Sequence, residues 1–390
     1  MKLGERQQAL DSALLAFYDL WHPQPFRESR PQWCELWPSL LDELMRLPEA
    51  EVAPLSDDGA AALALLARHV PAVSAIAPLV ELPVLPGMPL PDRNVHWAWE
   101  IPGRKREQIE AFAAAAGPGK QPVLDWCGGK GHLGRLLALA WQQPVHTLDI
   151  DAGLCEAGNS LARRANARQE FVVSDALTAA DWPQAGQHAV ALHACGELHR
   201  RLVREGVGKG VGAFDVAPCC YYRGLGDNYR PLSDKLTLQL TRDDTRLAVT
   251  ETVTSSARET RQRDRGIAWK LGFDAFRRTV EGDAYRTFKP VPEAWLRAGF
   301  ADFLGRMAER EGLPLPSTGV ASEFEMQGWQ RRDEVMRFSI VRHAFRRAIE
   351  VWLVLDLACY LEERGYAVAL GSFCERHLTP RNLLISARLA

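Results

Sequence analysis

The sequence predicts an α/β protein whose mostly parallel β-sheet is covered by helices on both faces. Short apolar strands alternate with helical segments between residues 104 and 217, a spacing that favours right-handed crossovers within one sheet. A glycine-rich loop at residues 128–131 separates the first strand from the next helix. Acidic residues follow three successive strands, at the edge where open α/β sheets bind ligands.

The order of elements follows from apolar periodicity. We predict helices over residues 104–115, 132–141, 152–167, 198–206 and 344–364, and strands over 122–125, 145–150, 171–175, 188–193, 212–217, 366–372 and 381–388. Residues 1–95 form a helical N-terminal region that ends in a proline-dense connector. Residues 96–222 and 335–390 form the sheet domain, and residues 223–334 form a helical, arginine-rich insertion that we expect to bind substrate.

Composition excludes several protein classes. The 390 residues are 47% hydrophobic and 25% charged, which is typical of a globular protein and excludes a disordered or collagenous chain. The length fits one large domain or two to three smaller ones.

Charge is distributed unevenly along the chain. The net charge is −2, but residues 1–100 hold 7 basic and 14 acidic side chains, and residues 101–390 hold the other 40 basic and 35 acidic ones. Any polyanion site is therefore expected after residue 100.

Targeting signals are not evident in the pattern. Glu5, Arg6, Asp11 and Asp19 interrupt the first apolar positions, so residues 1–21 do not resemble a signal peptide. The strongest apolar stretch, residues 351–360, contains Asp356 and is too short to cross a bilayer. Eight cysteines without the spacing of a small secreted domain predict thiols in a reducing compartment. We therefore expect a soluble cytoplasmic protein with no membrane partner.

Two cofactors compete for the glycine loop. Gly129, Gly131 and Gly134 fit the dinucleotide pattern, with Asp149 about 20 residues further on. Asp125, however, precedes the glycines and would repel a pyrophosphate, whereas it would attract the amino group and sulfonium of S-adenosylmethionine. Lys130 is not followed by Ser or Thr, so the loop is not a phosphate loop.

The remaining predicted cofactor contacts lie at the strand ends. Asp149 would accept hydrogen bonds from ribose hydroxyls, Ile150 would pack on the adenine, and Asp175 would receive the adenine amino group. Cys127 and His193 complete the predicted cofactor-binding set. The alternative is that the strand-end aspartates only cap the helices or turns that follow them.

Four segments carry a family resemblance, namely Asp125-Trp-Cys-Gly-Gly-Lys-Gly131, Leu148-Asp-Ile-Asp151, Leu192-His-Ala-Cys-Gly-Glu197 and Ala217-Pro-Cys-Cys-Tyr-Tyr222. They resemble the class I S-adenosylmethionine-dependent methyltransferases, especially the methyltransferase-like group that includes the glutathione-S-transferase-C-terminal-domain-containing methyltransferases. A more distant similarity is to a tRNA ribose 2′-O-methyltransferase family with Cys-Cys-His-His at the last segment.

The resemblance covers about residues 100–222 and returns at 345–390, where Thr379-Pro-Arg-Asn-Leu-Leu384 is similar to the start of the family's last strand. It implies a Rossmann-like sheet of seven strands, mostly parallel, with the last strand antiparallel. One position departs from the family, since Cys127 stands where the first glycine of the loop is usual. The first 95 residues lie outside the resemblance.

The resemblance also implies catalytic residues. The loop after the fourth strand faces the transferred methyl in such enzymes, so His193 is the candidate general base and Glu197 an orienting or substrate-binding group. The alternative for His193 is a hydrogen-bonded packing residue.

Cysteine and histidine side chains recur at the ends of the predicted strands: Cys127, His193, Cys195, Cys219, Cys220, Cys374 and His377. Zinc takes such ligands, but the spacing of paired zinc-binding cysteines is missing, and we predict no metal. Cys219 after Pro218 is a second alternative, as a covalent nucleophile of the kind used in cytosine C5 methylation, although it follows the fifth strand rather than the fourth. The third is that these cysteines simply pack as small apolar residues.

Seven basic residues fall between positions 258 and 278: Arg258, Arg261, Arg263, Arg265, Lys270, Arg277 and Arg278. With Tyr221, Tyr222 and Trp269 as stacking surfaces, they would suit RNA; the alternative is a solvated helix with internal ion pairs. The sequence thus predicts an S-adenosylmethionine-dependent methyltransferase that acts on RNA, with a protein side chain or small molecule as other acceptors. A non-catalytic cofactor-binding adapter and an NAD-dependent oxidoreductase are the alternative functions.

Overall fold

The computed structural model describes residues 1–91, 95–233, 235–251, 257–282, 285–317 and 319–390. Its α-helices are α1 (Leu3–Ala16), α2 (Tyr18–Trp21), α3 (Trp33–Leu36), α4 (Pro38–Arg46), α5 (Glu49–Asp57), α6 (Gly59–Ala67), α7 (Ala77–Val80), α8 (Gly103–Ala116), α9 (His132–Trp141), α10 (Ala152–Arg164), α11 (Glu197–Gly208), α12 (Arg242–Leu247), α13 (Ala257–Glu281), α14 (Trp295–Ala298), α15 (Phe300–Glu311), α16 (Ala321–His343) and α17 (Arg346–Glu362). Short 3₁₀ helices cover Pro71–Ile76 and Val95–Ala98. Within the described residues, every helix is too short or too polar to span a bilayer.

The strands are β1 (Val123–Trp126), β2 (Val145–Asp149), β3 (Gln169–Val173), β4 (His188–Cys195), β5 (Ala213–Cys219), β6 (Tyr366–Ser372) and β7 (Leu383–Leu389). They form one seven-stranded sheet in the order β3-β2-β1-β4-β5-β7-β6. β1 to β5 run parallel, and β7 is antiparallel to both β5 and β6. The predicted Rossmann-like sheet with an antiparallel last strand is therefore confirmed.

Strands β1 and β5 are buried along their whole length, which is why they read as apolar runs in the sequence. Helix α9 packs onto β1 and β2 through Leu133, Leu136 and Leu137. Chain contacts divide the protein into two compact units: unit 1 is Met1–Ala16, Pro78–Val253 and Arg346–Ala390, and unit 2 is Phe17–Ala77 and Thr254–Phe345. Unit 1 contains the whole sheet.

The proline-dense segment does more than connect helices. Val84 forms a parallel bridge to Ser372 at the edge of the sheet. The backbone N–H of Leu85 donates to the carbonyl oxygen of Ser372, and the backbone N–H of Ser372 donates to the carbonyl oxygen of Pro83, both at 2.9 Å. Prolines are tolerated there because an edge position leaves one side of the backbone without a strand partner.

Unit 2 is helical, and its core includes aromatic residues of α13 and α15. Trp269, Phe273, Phe300 and Phe303 are buried together. Helices α13 and α16 approach closely because Gly328 meets α13, where an added Cβ would lie 2.3 Å from the carbonyl oxygen of Ala268. A glycine at this crossing is thus required by packing rather than by flexibility.

Two expectations for the insertion differ from the structure. Residues 223–241 were predicted to be helical, but their described part forms no helix before α12 begins at Arg242. Helix α16 also runs without a break across the predicted boundary at residue 334. The role of residues 223–334 as a substrate-binding region stays a prediction.

Buried carboxylates hold the irregular segment between β5 and α12 in unit 1. Asp356 of α17 accepts hydrogen bonds from the Tyr229 hydroxyl at 2.7 Å and from the backbone N–H groups of Leu232 and Ser233 at 2.9 and 3.1 Å. Asp11 of α1 accepts from the backbone N–H and hydroxyl of Thr237 at 3.0 and 2.6 Å. The polar residue that interrupts the apolar stretch of α17 is therefore an anchor for a loop.

We predict that Asp356→Ala lowers the free energy of unfolding by about 3–5 kcal/mol, because it leaves a buried hydroxyl and two buried N–H groups without an acceptor. Chemical denaturation measures the loss. Glu363→Ala is the control, since its carboxylate forms an exposed ion pair with Lys235 and should cost less than about 1 kcal/mol. Equal small losses for both variants would contradict the anchoring role.

Candidate active site at the carboxyl edge of the sheet

The loop between β1 and α9 has a left-handed backbone at three positions. Cys127, Gly129 and Gly131 have φ angles of 58°, 58° and 60°. An added Cβ at Gly131 would lie 2.2 Å from Nε2 of Gln169, so this position excludes any larger residue. Cys127 adopts the same conformation with a side chain, which costs backbone strain and explains why glycine is usual there.

Asp125 is buried against this loop. Its Oδ2 accepts hydrogen bonds from the backbone N–H of Gly134 at 3.0 Å and from the Thr147 hydroxyl at 3.3 Å. Burial raises the pKa of Asp125 to about 6, partly offset by these two hydrogen bonds. The carboxylate thus holds the loop and the start of α9 in place, while its predicted contact with a ligand amino group stays a prediction.

Asp149 joins the end of β2 to the same loop. Its Oδ2 accepts from the backbone N–H of Gly129 at 2.8 Å, and its Oδ1 accepts from the backbone N–H of Asp151 at 3.0 Å. A carboxylate oxygen accepts more than one hydrogen bond, so ribose hydroxyls remain compatible with this arrangement. Capping is the role of the neighbouring Asp151, which accepts from Leu154 N–H at the start of α10.

Exposed apolar side chains surround the ends of β2 and β3. Ile150 is 67% exposed and Val173 is 56% exposed, and β2 pairs with β3 so that Asp149 stands opposite Val173. Leu154 and Leu177 are also exposed. The sequence pointed only to Ile150. Val173 ends β3, Leu154 lies in α10 and Leu177 lies in the turn after β3. Single exposed apolar residues are too common for the sequence to mark these three.

Asp175 lies in the turn after β3. Its Oδ1 accepts from the backbone N–H of Leu177 at 2.9 Å, which fixes the turn and keeps a half-buried carboxylate beside the exposed apolar side chains. Together, Asp149, Ile150 and Asp175 line one edge, as their positions after successive strands predicted.

His193 lies at the end of β4, with a φ angle of 71°. Its Nε2 is 3.2 Å from Oε1 of Gln108, and Nε2 of Gln108 donates to the carbonyl oxygen of Leu378 at 2.8 Å. Because the Gln108 amide donates through its nitrogen, its oxygen must accept, and His193 carries its proton on Nε2. Desolvation by the surrounding protein, with a contribution from Lys105, lowers the pKa of His193. The neutral ring is left with Nδ1 as an acceptor.

Gln108 was missed by sequence reasoning. It lies on α8, 85 positions before His193, in a segment with no chemical pattern of its own. The predicted orienting residue, Glu197, has other partners: its carboxylate pairs with Arg200 at 3.0 Å and with Arg204 at 2.6 Å. Gln108 therefore orients His193, and Glu197 fixes the first turn of α11.

The cysteines separate into two groups. The Sγ atoms of Cys195, Cys219 and Cys220 all lie within 4.8 Å of one another, and within the described part of the chain Cys374 and His377 are not members of this cluster. Hydrogen bonds from Cys195 and Cys219 lower the pKa of Cys220 well below its usual range, and Arg223 and Arg381 add to the effect.

Cys127 behaves differently, because burial raises the pKa of its thiol to about 12. All eight cysteines lie within the described residues as free thiols.

The arginine-rich segment becomes helix α13 of unit 2, and part of its charge is used internally. Arg277 is buried and pairs with Asp274 and Glu311, and Arg278 pairs with Asp274. The prediction that Tyr221 and Trp269 serve as stacking surfaces is wrong, because their rings are 1% and 5% exposed. Trp269 instead packs on Phe300 and Phe303.

Comparison with known proteins identifies the domain. Residues 104–223 match the family model described as a methyltransferase domain, which confirms the predicted methyltransferase and disfavours the oxidoreductase alternative. The match spans β1 to β5 and the glycine loop, so the edge described above lies inside it. No curated protein matches the chain.

The solved structures that match the chain are distant. An rRNA methylase from Streptococcus thermophilus is 13% identical, with 36% of this chain and 94% of that chain covered and a TM-score of 0.23. The magnesium protoporphyrin IX methyltransferase of Synechocystis PCC 6803 is 12% identical, with coverages of 70% and 74% and a TM-score of 0.27. A glycopeptide N-methyltransferase is 19% identical, with coverages of 39% and 72% and a TM-score of 0.24. Similarities at this level say nothing about the acceptor.

We predict a specific pH signature for Asp125. Its pKa lies above that of the unfolded chain, so the ionised carboxylate costs folding free energy, and protonation relieves that cost. From about pH 7 to about pH 4.5, the wild type should gain about 2 kcal/mol of stability relative to Asp125→Asn. Denaturation of both proteins across this range measures the difference, and a constant difference or a relative loss for the wild type would contradict the burial argument.

Proposed function

We propose that this chain, an S-adenosylmethionine-dependent methyltransferase, transfers the methyl group to RNA, with His193 as the proton acceptor. The observation that carries the proposal is the composition of one sheet edge. This edge combines a strained glycine loop, the carboxylate of Asp149 that joins β2 to that loop, and exposed apolar side chains. It also carries the imidazole of His193, whose Nδ1 is unprotonated.

The residues at this edge fit the cofactor. Ile150 and Val173 expose apolar surface that an adenine would cover, and covering such surface stabilises a complex by about 25 cal/mol per Å². Asp149 offers carboxylate oxygens to ribose hydroxyls, and Asp175 offers one to the adenine amino group. S-adenosylmethionine, when bound, supplies a methyl group on a positively charged sulfur. Cys127 is a neutral thiol and packs within the loop.

His193 is suited to receive a proton from the acceptor. Its lowered pKa keeps the ring neutral at neutral pH, and Gln108 holds Nε2–H so that Nδ1 is the basic nitrogen. A hydroxyl or amine that loses its proton to Nδ1 becomes the stronger nucleophile, and the proton then passes to solvent. Gln108 is a positioning residue in this scheme because it acts through His193.

An anionic acceptor is supported by a groove in each unit. In unit 1, a groove of about 420 Å³ is lined by Arg200, Arg204 and Arg230 together with two acidic residues, Glu197 and Asp227. Glu197 pairs with Arg200 and Arg204, so Arg230 is the arginine that this carboxylate leaves to a ligand. In unit 2, a groove of about 740 Å³ is lined by three basic residues, Arg258, Arg263 and Lys270, and by two acidic ones, Glu259 and Glu293. Arginine forks bind phosphate oxygens well, and Arg230 and Arg263 are exposed. RNA, like any nucleic acid, presents phosphates over a long surface.

Methyl transfer should depend on His193 far more than cofactor binding does. We expect His193→Gln to lower the rate constant of transfer about 10²–10⁴-fold and to lower S-adenosylhomocysteine affinity much less. Gln108→Ala should lower the rate constant of transfer when His193 is present, but it should have no further effect in the His193→Gln variant, because Gln108 acts through the His193 imidazole. Single-turnover rates for both variants and their combination test this, and unchanged turnover for His193→Gln would remove the residue from the mechanism.

The acceptor class is tested by radiolabel. Incubation with methyl-tritiated S-adenosylmethionine and separated cell fractions should label RNA, and RNA affinity should fall steeply with salt. Arg230→Glu and Arg263→Glu should each weaken RNA binding. Arg46→Glu is the control, because it makes the same change of charge at an exposed arginine that lies 3.9 Å from Asp42 and outside both grooves. Label confined to protein or small molecules would contradict the RNA proposal and leave the methyltransferase assignment intact.

A further inference from the structure

Three sulfur atoms converge where β4 and β5 end. Cys195 is the last residue of β4, Cys219 is the last residue of β5, and Cys220 follows directly. The Sγ atoms of Cys195 and Cys219 are 3.5 Å apart, and all three Sγ atoms lie within 4.8 Å of one another. Neither the glycine loop nor the proposed base uses these groups.

The backbone is distorted in a way that produces this convergence. Successive side chains of a strand normally point to opposite faces, which would separate Cys219 from Cys220. Cys220 instead has a φ angle of 44°, a left-handed conformation that strains a residue with a side chain. A register shift between Leu192 and Cys195 then sets Cys195 opposite Cys219. Packing of small apolar residues does not need either feature.

The spacing fits a thiophilic cation. Zinc binds thiolate sulfur at about 2.3 Å in tetrahedral geometry, which sets sulfur atoms about 3.8 Å apart. The observed separations, 3.5 Å for one pair and at most 4.8 Å for the others, are compatible with that value. A disulfide requires about 2.05 Å and involves only two of the three sulfurs.

Although the spacing of the cysteines in the sequence predicts no metal, we propose that Cys195, Cys219 and Cys220 together bind one Zn²⁺ ion through their three sulfur atoms. Within the described residues no fourth His, Cys, Asp or Glu joins the cluster, so the fourth ligand is a water molecule, which reaches the half-exposed Cys195 and Cys220. Each thiol that is protonated beforehand releases its proton to solvent on binding. Zinc stays divalent, and no oxidant or reductant is needed.

Such an ion would stabilise the segment that carries His193. The Sγ of Cys195 lies 3.3 Å from the carbonyl oxygen of His193, and the cluster joins the end of β4 to the end of β5. Zinc binding to the folded state alone would raise the unfolding temperature by mass action. The proposal therefore predicts a structural effect that is measurable without any acceptor.

The test is metal analysis of the full-length protein purified under reducing conditions. After incubation with ZnSO₄ and desalting, the wild type should hold one zinc per chain, and Co²⁺ should give the charge-transfer and visible bands of tetrahedral thiolate coordination. Cys195→Ser and Cys220→Ser should each weaken zinc affinity at least tenfold and abolish the rise in melting temperature on adding zinc. Cys374→Ser is the matched control, because Cys374 is also half-exposed and lies outside the cluster.

Two results would overturn the proposal. One is folded, reduced wild type, verified by circular dichroism, that retains no zinc and shows no cobalt bands. The other is equal zinc retention by the wild type, Cys195→Ser and Cys220→Ser. A third result would also overturn it. If mass spectrometry of protein prepared without reductant finds a Cys195–Cys219 disulfide, and the reduced protein binds no zinc, the two cysteines form a redox pair instead.

Discussion

Asp125, Thr147 and Gln169 form a buried hydrogen-bonded layer against the glycine loop, and the loop adopts its conformation around them. Gln169 Nε2 donates to the Thr147 hydroxyl at 2.7 Å and to the carbonyl oxygen of Gly131 at 2.9 Å, and Thr147 donates to Asp125. A Cβ at Gly128 or Gly134 would lie 2.4 or 2.8 Å from Asp125 Oδ2. The edge that we assign to cofactor binding therefore rests on a layer of buried polar groups.

From this layer the rest of the edge follows. Asp125 of β1 accepts a hydrogen bond from the N–H of Gly134 near the start of α9, and Asp149 of β2 accepts one from the N–H of Gly129. The loop is therefore held by side chains of both β1 and β2. Left-handed backbone at Cys127, His193 and Cys220 then re-aims side chains at the ends of β1, β4 and β5. Strained conformations outside glycine concentrate where the surrounding structure over-determines them. In the described part of the chain, six non-glycine residues have a positive φ angle. Cys127, His193 and Cys220 lie at the edge that we assign to chemistry, and the other three, Glu100, Gln142 and Asn166, come after helices.

Much of this architecture is predictable from sequence, because each central strand is a short apolar run and each crossover helix is amphipathic. Helix α9 and strand β6 begin and end where the pattern predicts. Contacts between distant residues are not predictable in this way. Gln108 reaches His193 from 85 positions away, and the role of Asp356 depends on a loop that periodicity wrongly predicts to be helical. The thiol cluster depends on the φ angle of Cys220, which its sequence neighbours do not specify.

The central claim is that S-adenosylmethionine occupies the edge formed by the glycine loop, β2 and β3. Calorimetric titration with S-adenosylhomocysteine tests it most directly, using the wild type, Ile150→Asp and the control Leu315→Asp, since Ile150 and Leu315 are similarly exposed at 67% and 73%. The account predicts micromolar binding by the wild type and Leu315→Asp and a loss of at least about tenfold, or 1.4 kcal/mol, for Ile150→Asp. Equal affinities in all three proteins, or no binding by folded wild type, would contradict it.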